Sequence, residues 1–138
     1  MTESEFQVRP IGWVRSALVD LSAAPKQSDE GAPAAELLVA AEYAEGLTGL
    51  AVGDTILVFT WLDRARRDVL VVHPRDDATR PLQGVFSTRS SERPNPIGLH
   101  RVEITAVDGT TLRVNELEAI DGTPIIDIKI TIGRKDER

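Results

Sequence analysis

The side chains able to do chemistry are few and unevenly spread. Eight arginines (Arg64, Arg66, Arg67, Arg75, Arg80, Arg89, Arg93 and Arg101) fall in one segment with only four acids, which leaves it at +4 in a chain of formal charge −6. The planar arginine fork suits phosphate and carboxylate, so an anion is expected to meet this segment. The acidic total argues against nonspecific nucleic-acid binding. His73 and His100 are the only histidines. Neither lies in an H-E-x-x-H pattern, and no metal is expected. His100 is read as an outward rim residue of a strand. Ser87, Ser90 and Ser91 lack the glycine pattern of a nucleophile elbow. There is no cysteine, which removes disulfides, thiolate metal ligands and thiolate nucleophiles. No two glycines are separated by one residue and none precedes a lysine. Dinucleotide and Walker phosphate cradles are therefore absent.

The stretch that must present the arginines is residues 84–99, GVFSTRSSERPNPIGL. Pro94 and Pro96 fix φ, remove two backbone donors and push their predecessors toward extended geometry. A stiff, extended polar loop follows, holding Asn95 in one shape. The rest of the chain reads as strands: one near Ile11, Trp13 and Val14, with Gly12 at a bulge or close backbone approach, and one over residues 36–43. Residues 55–62, TILVFTWL, are nearly continuous in apolar character and read as a strand buried on both faces. Further strands are expected at 69–72, 82–86, 97–107, 111–114 and 123–130. Asp108-Gly109 marks a hairpin, and Asp121-Gly122 a second turn. Leu47 and Leu50 suggest a helical turn or two. Residues 20–35 form a long loop, the kind that is usually functional or disordered. The two tryptophans and three phenylalanines are expected in the core.

Together these imply an all-β domain, barrel or sandwich, of about seven short antiparallel strands with one or two short helical turns. The 138 residues suit a single domain, with its core from about residue 6 to residue 130 and a charged tail at 131–138. No signal segment and no membrane-length apolar run are seen, so a soluble cytoplasmic protein without membrane partners is expected.

Three segments in order carry a resemblance: residues 84–99, residues 115–129 (NELEAIDGTPIIDIK), and Pro25-Lys26-Gln27 after the Ile11-Gly12 strand. They resemble the TsaA-like family, which includes the tRNA methyltransferase TrmO and whose usual forms are GVFATRSPxRPNPIGL and LDxxDGTPVLDIKP. The resemblance runs from Phe6 to about Lys129. It implies a small antiparallel β-barrel that binds S-adenosylmethionine, usually as a homodimer. It further implies methyl transfer to the exocyclic nitrogen of threonylcarbamoyl-adenosine in tRNA.

Carried over residue by residue, the resemblance gives cofactor contacts at Pro25, Lys26, Gln27, Asp63, Arg64, Arg89, Leu99, Leu117, Glu118, Ala119, Ile120, Asp121 and Gly122. Arg93, Asn95, Thr123, Asp127 and Lys129 become residues that shape the site. Asp63 or Asp127 is the expected proton acceptor. Asp127 and Lys129 share one face of a strand and are expected to pair. The sequence departs from the family at Lys26, where arginine is usual, at Asp63, where histidine is common, and at Glu118 for aspartate. Ile130 replaces a proline. If tRNA is the substrate, the arginines of 64–101 should form one basic face. The alternatives are a small-molecule methyltransferase and a noncatalytic S-adenosylmethionine sensor.

Overall fold

The structure is a computed structural model of the chain, and it describes residues 4–19 and 32–132. Alternation in the sequence becomes the two faces of a barrel wall. The strands are β1 (Gly12–Ser16), β2 (Ala35–Val39), β3 (Thr55–Trp61), β4 (Val71–Val72), β5 (Gln83–Gly84), β6 (Ile97–Asp108), β7 (Thr111–Val114) and β8 (Pro124–Ile130). Six of them close an antiparallel barrel in the order β1-β2-β7-β6-β3-β8, with β8 returning to β1. β4 and β5 form a separate two-stranded ribbon. The expected all-β class holds. The segments 69–72 and 82–86, read as strands of the main body, shorten to this ribbon in the β3–β6 connection.

Inward positions of the wall are aliphatic. Val14, Leu37, Ile56, Val58, Val102, Ile104, Leu112, Val114 and Ile125 are enclosed and form one cluster with Leu117 and Ala119. Each such side chain contributes about 1.5–3 kcal/mol on burial. β3 corrects the expectation of a strand buried on both faces. Ile56, Val58 and Thr60 point inward, whereas Leu57, Phe59 and Trp61 are only half-buried on the outer wall. A barrel strand has one interior face, whatever its outer residues are.

The aromatics are also corrected. Trp13 is 44% exposed, Phe86 79% and Phe6 90%. The interior of a six-stranded barrel is narrow, and branched aliphatic side chains fill it. Gly12 is the close approach expected of it, since a Cβ there would drive into the Leu38 carbonyl of β2.

The antiparallel order sorts the connections between two ends. At one end lie β1–β2, β3–β6 (residues 62–96) and β7–β8 (residues 115–123); this is the loop end. At the other lie the β2–β3 connection, with its 3-10 segment Ala41–Leu47, and the β6–β7 hairpin. The hairpin loop is Gly109-Thr110, flanked by the pair Asp108↔Thr111, one residue later than Asp108-Gly109. Among the described residues no helix is long and apolar enough to cross a membrane.

Candidate site at the loop end of the barrel

The segment 84–99 opens with the 3-10 turn Val85–Ser87, whose Val85 is enclosed. Its fold is held by arginine rather than by regular pairing. Arg93 donates from Nε to the Ser90 carbonyl (2.8 Å) and from Nη2 to those of Val85 (2.6 Å) and Thr88 (2.8 Å). Arg67 donates to the Pro94 carbonyl (2.7 Å) and to Asn95 Oδ1 (3.0 Å) while lying 5.2 Å over the Trp61 ring. Backbone bonds braid the segment onto residues 62–70: Leu62 N to the Pro96 carbonyl, Arg93 N to that of Arg66, and Val85 N to that of Leu70. Asn95 thus serves the loop, and the proline stretch acts as a frame.

The β7–β8 connection closes the same end from inside. Leu117, Ala119 and Ile120 are buried, so these three expected cofactor contacts put their side chains into the core and can offer only backbone outward. Glu118 is half-buried between them. Asp121 accepts from the Ser16 amide through Oδ1 (3.0 Å), and its own amide donates to the Leu18 carbonyl. Gly122 takes φ +85°, open to glycine, and donates to the Val14 carbonyl. Thr123 is buried and donates to the Ile120 carbonyl (2.6 Å). The Asp-Gly pair is therefore a turn that locks β8 against β1.

At the mouth the aliphatic interior gives way to polar groups. His100 faces inward on β6 with Gly98 and Val102, against the expectation of an outward rim residue. The error was one of parity, because a strand that buries Val102 and Ile104 turns His100 inward too. His100 Nε2 lies 2.8 Å from Thr60 Oγ1 on β3. Burial, followed by the Arg89 charge, pushes the imidazole down from 6.5 to about 4. Asp63 and Arg64 are exposed just beyond β3, with the Asp63 amide on the Trp61 carbonyl. Arg89 is exposed and pairs with no carboxylate among the described residues. Among the described residues this end therefore holds a cation without an ion-pair partner (Arg89), a carboxylate (Asp63) and an inner nitrogen without a hydrogen-bond partner (His100 Nδ1), charges of both signs that suit a zwitterion such as S-adenosylmethionine.

Not every expected residue comes to this mouth. Leu99 points to the outer wall, opposite Phe59, and Asp127 flanks Phe59 from β8. Lys129 lies over the Phe59 ring at 6.0 Å, and no ion pair joins it to Asp127, contrary to expectation. Asp127 instead lines a cleft of about 600 Å3 that runs to the hairpin end beside Glu42, Tyr43 and Leu47. Asp63 and Asp127 thus lie on different elements, the first just beyond β3 and the second on β8 beside Phe59. Pro25, Lys26 and Gln27 lie outside the described residues. Of the eight arginines, Arg67 and Arg93 hold the loop, Arg66 pairs with Asp68 (3.0 Å) and Arg80 with Asp77 (3.7 Å). The Arg66 partnership holds the Asp68 carboxyl below its usual range. Among the described residues no group of three acids or histidines is arranged to hold a metal.

Residues 13–137 match the tRNA-methyltransferase O N-terminal domain family. A probable S-adenosyl-L-methionine-binding protein of Methanothermobacter thermautotrophicus is 43% identical over 94% of this chain and 92% of its own length. An S-adenosyl-L-methionine-binding protein of Archaeoglobus fulgidus is 43% identical over 88% of this chain and 86% of its own. A second Archaeoglobus relative, 42% identical over 89% of this chain, is about three times longer, the match covering 33% of it. The crystal structure of TrmO from Pseudomonas aeruginosa superposes with TM-score 0.75 at 28% identity, over all of this chain and 60% of that one. The chain therefore spans about 60% of the length of that solved TrmO chain. With its barrel, its braided loop and its ordered motifs, the chain belongs to the tRNA-methyltransferase O N-terminal domain family.

Proposed function

We propose that the protein is an S-adenosylmethionine-dependent methyltransferase whose acceptor is the exocyclic nitrogen of threonylcarbamoyl-adenosine in tRNA. The observation that carries this reading is that the family motif at residues 84–99 and the loop part, 115–123, of the motif at 115–129 meet at one end of the barrel. Arg89, Arg64 and the backbone of 117–122 would hold S-adenosylmethionine. When bound, it supplies a methyl group made electrophilic by the sulfonium. Transfer would form a carbon–nitrogen bond as the carbon–sulfur bond breaks, and would leave the chain a proton to take from the nitrogen. The chain aligns donor and acceptor and excludes water. It must also take that proton, because a urea-like nitrogen is a poor nucleophile. Asp63, exposed at the mouth, is the better placed acceptor. Asp127, on the outer wall, would serve only an acceptor that reaches around β8 or is brought by a second subunit.

A homodimer is part of this reading. Half-exposed Leu57, Phe59, Trp61, Ile97 and Leu99 make an apolar outer wall on β3 and β6 that a second copy would cover. Ile97→Lys should then yield monomers by sedimentation. A tRNA substrate sets the protein in the cytoplasm and would use the arginines of 64–101. Most of those eight, Arg66, Arg67, Arg80 and Arg93 among them, are engaged within the chain, and this favours keeping a second reading, transfer to a small molecule. Labelled S-adenosylmethionine with tRNA lacking the modification decides between them. Label on a tRNA nucleoside supports the first, whereas label only in metabolites removes it. Binding without transfer to either indicates a sensor.

A further inference from the structure

We propose that the cleft at the hairpin end receives, from a second copy of this chain, the arm that precedes β1 (residues 4–10), with Phe6 and Val8 on its apolar floor and Arg9 against its acidic rim. The inference rests on the homodimer reading above and names what each copy lends the other.

The cleft exists because the barrel seam is short. β1 meets β8 only at Gly12↔Ile125 and Trp13↔Pro124, whereas β3 follows β8 as far as Ile130. Among the described residues no strand lies on the other edge of residues 127–130. The Ile128 amide donates to Asp127 Oδ1 (2.9 Å) instead of to a neighbouring strand. An open strand edge pairs readily with an extended segment. The cleft lies between this edge and the 3-10 segment. Ile11, Leu47 and Ile128 belong to its apolar floor. Glu42, Glu45 and Asp127 rim it, and none of its lining residues is a cation.

The arm has the matching pattern. Residues 4–10 are exposed throughout, Phe6 to 90% and Val8 to 60%. Phe6 and Val8 alternate with Gln7 and Arg9, so an extended arm puts both apolar side chains on one face. Arg9 is the arm's one cation, and Glu5 lies beyond Phe6 at the outer end. The arm is rooted at Ile11, a lining residue, yet it contributes nothing to the walls of its own cleft. Pro10 has no N–H to carry the β1 ladder further along β8, and it holds Arg9 extended. Exchange between two copies seats both arms at once in an isologous contact. The cleft also adjoins the β3–β6 wall, since Asp127 sits beside Phe59. Wall and arm belong to one interface, in which the wall supplies area and the arm fills the cleft.

The test is an isotope-filtered nuclear Overhauser experiment on the full chain, mixed from 13C,15N-labelled and unlabelled protein so that only contacts between copies are seen. Sedimentation of the same sample gives its oligomeric state. Contacts between copies should join the Phe6 ring to the methyl groups of Leu47 and Ile128. Phe6→Ser should weaken the dimer about tenfold, and Arg9→Glu should weaken it less. Phe6 is exposed in the single chain, so its replacement should leave thermal unfolding at monomeric dilution unchanged. A dimer without these contacts overturns the proposal and leaves the homodimer standing. The same contacts seen only within one copy also overturn it, and place the arm in its own cleft. A chain that sediments only as a monomer defeats the homodimer reading and the proposal together.

Discussion

The two ends of the barrel are built from the same six strands and differ in almost everything else. At the hairpin end one connection is a tight turn and the other lays leucines on the core. Gly109-Thr110 joins β6 to β7, and Leu47 and Leu50 of the β2–β3 connection pack onto the core. At the loop end the connection over residues 62–96 is long, and arginine side chains do there what strand pairing does elsewhere. Arg93 alone makes three bonds to backbone carbonyls. The interior changes as well, from aliphatic to Thr60, Thr123 and His100. One end closes the core. The other keeps polar and charged groups in fixed positions, and there the free energy of folding is spent on geometry a ligand can use.

The largest expected effect tests the polar interior. The unfolded imidazole of His100 takes its proton near pH 6.5 and the folded one only near pH 4. Acid therefore favours the unfolded chain. The stabilisation is whole above pH 6.5, falls away as the pH drops toward 4, and amounts to about 3 kcal/mol. Urea denaturation from pH 7 to pH 4 should show that loss, and His100→Gln should flatten it. A wild-type stability that is level between pH 6.5 and 4.5 would remove the buried imidazole from the account.

Next comes the loop staple. Arg93→Met should lower stability by about 2 kcal/mol, the scale of hydrogen bonds to a charged group. It should also raise amide exchange across residues 85–93 and spare β6 below Val102. Uniform loss of protection throughout the barrel would mean that the loop and core are not separable.

Smaller still, Leu47→Ala at the hairpin end should cost about 1–2 kcal/mol, as for a partly buried leucine, with ligand affinity unchanged by calorimetry. The smallest is Gly109→Ala. The φ of +60° there should cost about 1 kcal/mol in thermal unfolding, again without touching affinity. If either variant weakens the ligand as much as a loop-end substitution does, the division of labour between the ends is wrong.

The sequence carried the fold class because alternation and turn residues are local signals. β6 and β8 could be read from Val102 and Ile104 and from the isoleucines after Pro124. Closure could not, since it depends on which strands pair across long separations, as β1 does with β8. The same limit misplaced the aromatics. Trp13 and Phe59 look like core residues until the barrel assigns their parity to the outer wall. At the site, residues 84–99 were legible through their prolines and arginines. The roles were not, since Arg67 and Arg93 look like anion binders in sequence and prove to be fasteners for the loop. His100 could have been placed inward from its two-residue spacing to Val102, but its partner Thr60 lies 40 residues away and no local pattern joins them.

The central claim is that the loop end is the ligand site. Amide 1H–15N spectra of the labelled chain titrated with S-adenosylmethionine test it most directly. Shifts should concentrate in residues 62–64, 84–99 and 117–123 and leave the 3-10 segment Ala41–Leu47 and the hairpin at Gly109 unmoved. Shifts centred on Glu42, Tyr43, Leu47 and Asp127, around the cleft at the hairpin end, would contradict the account, as would a spectrum that does not change.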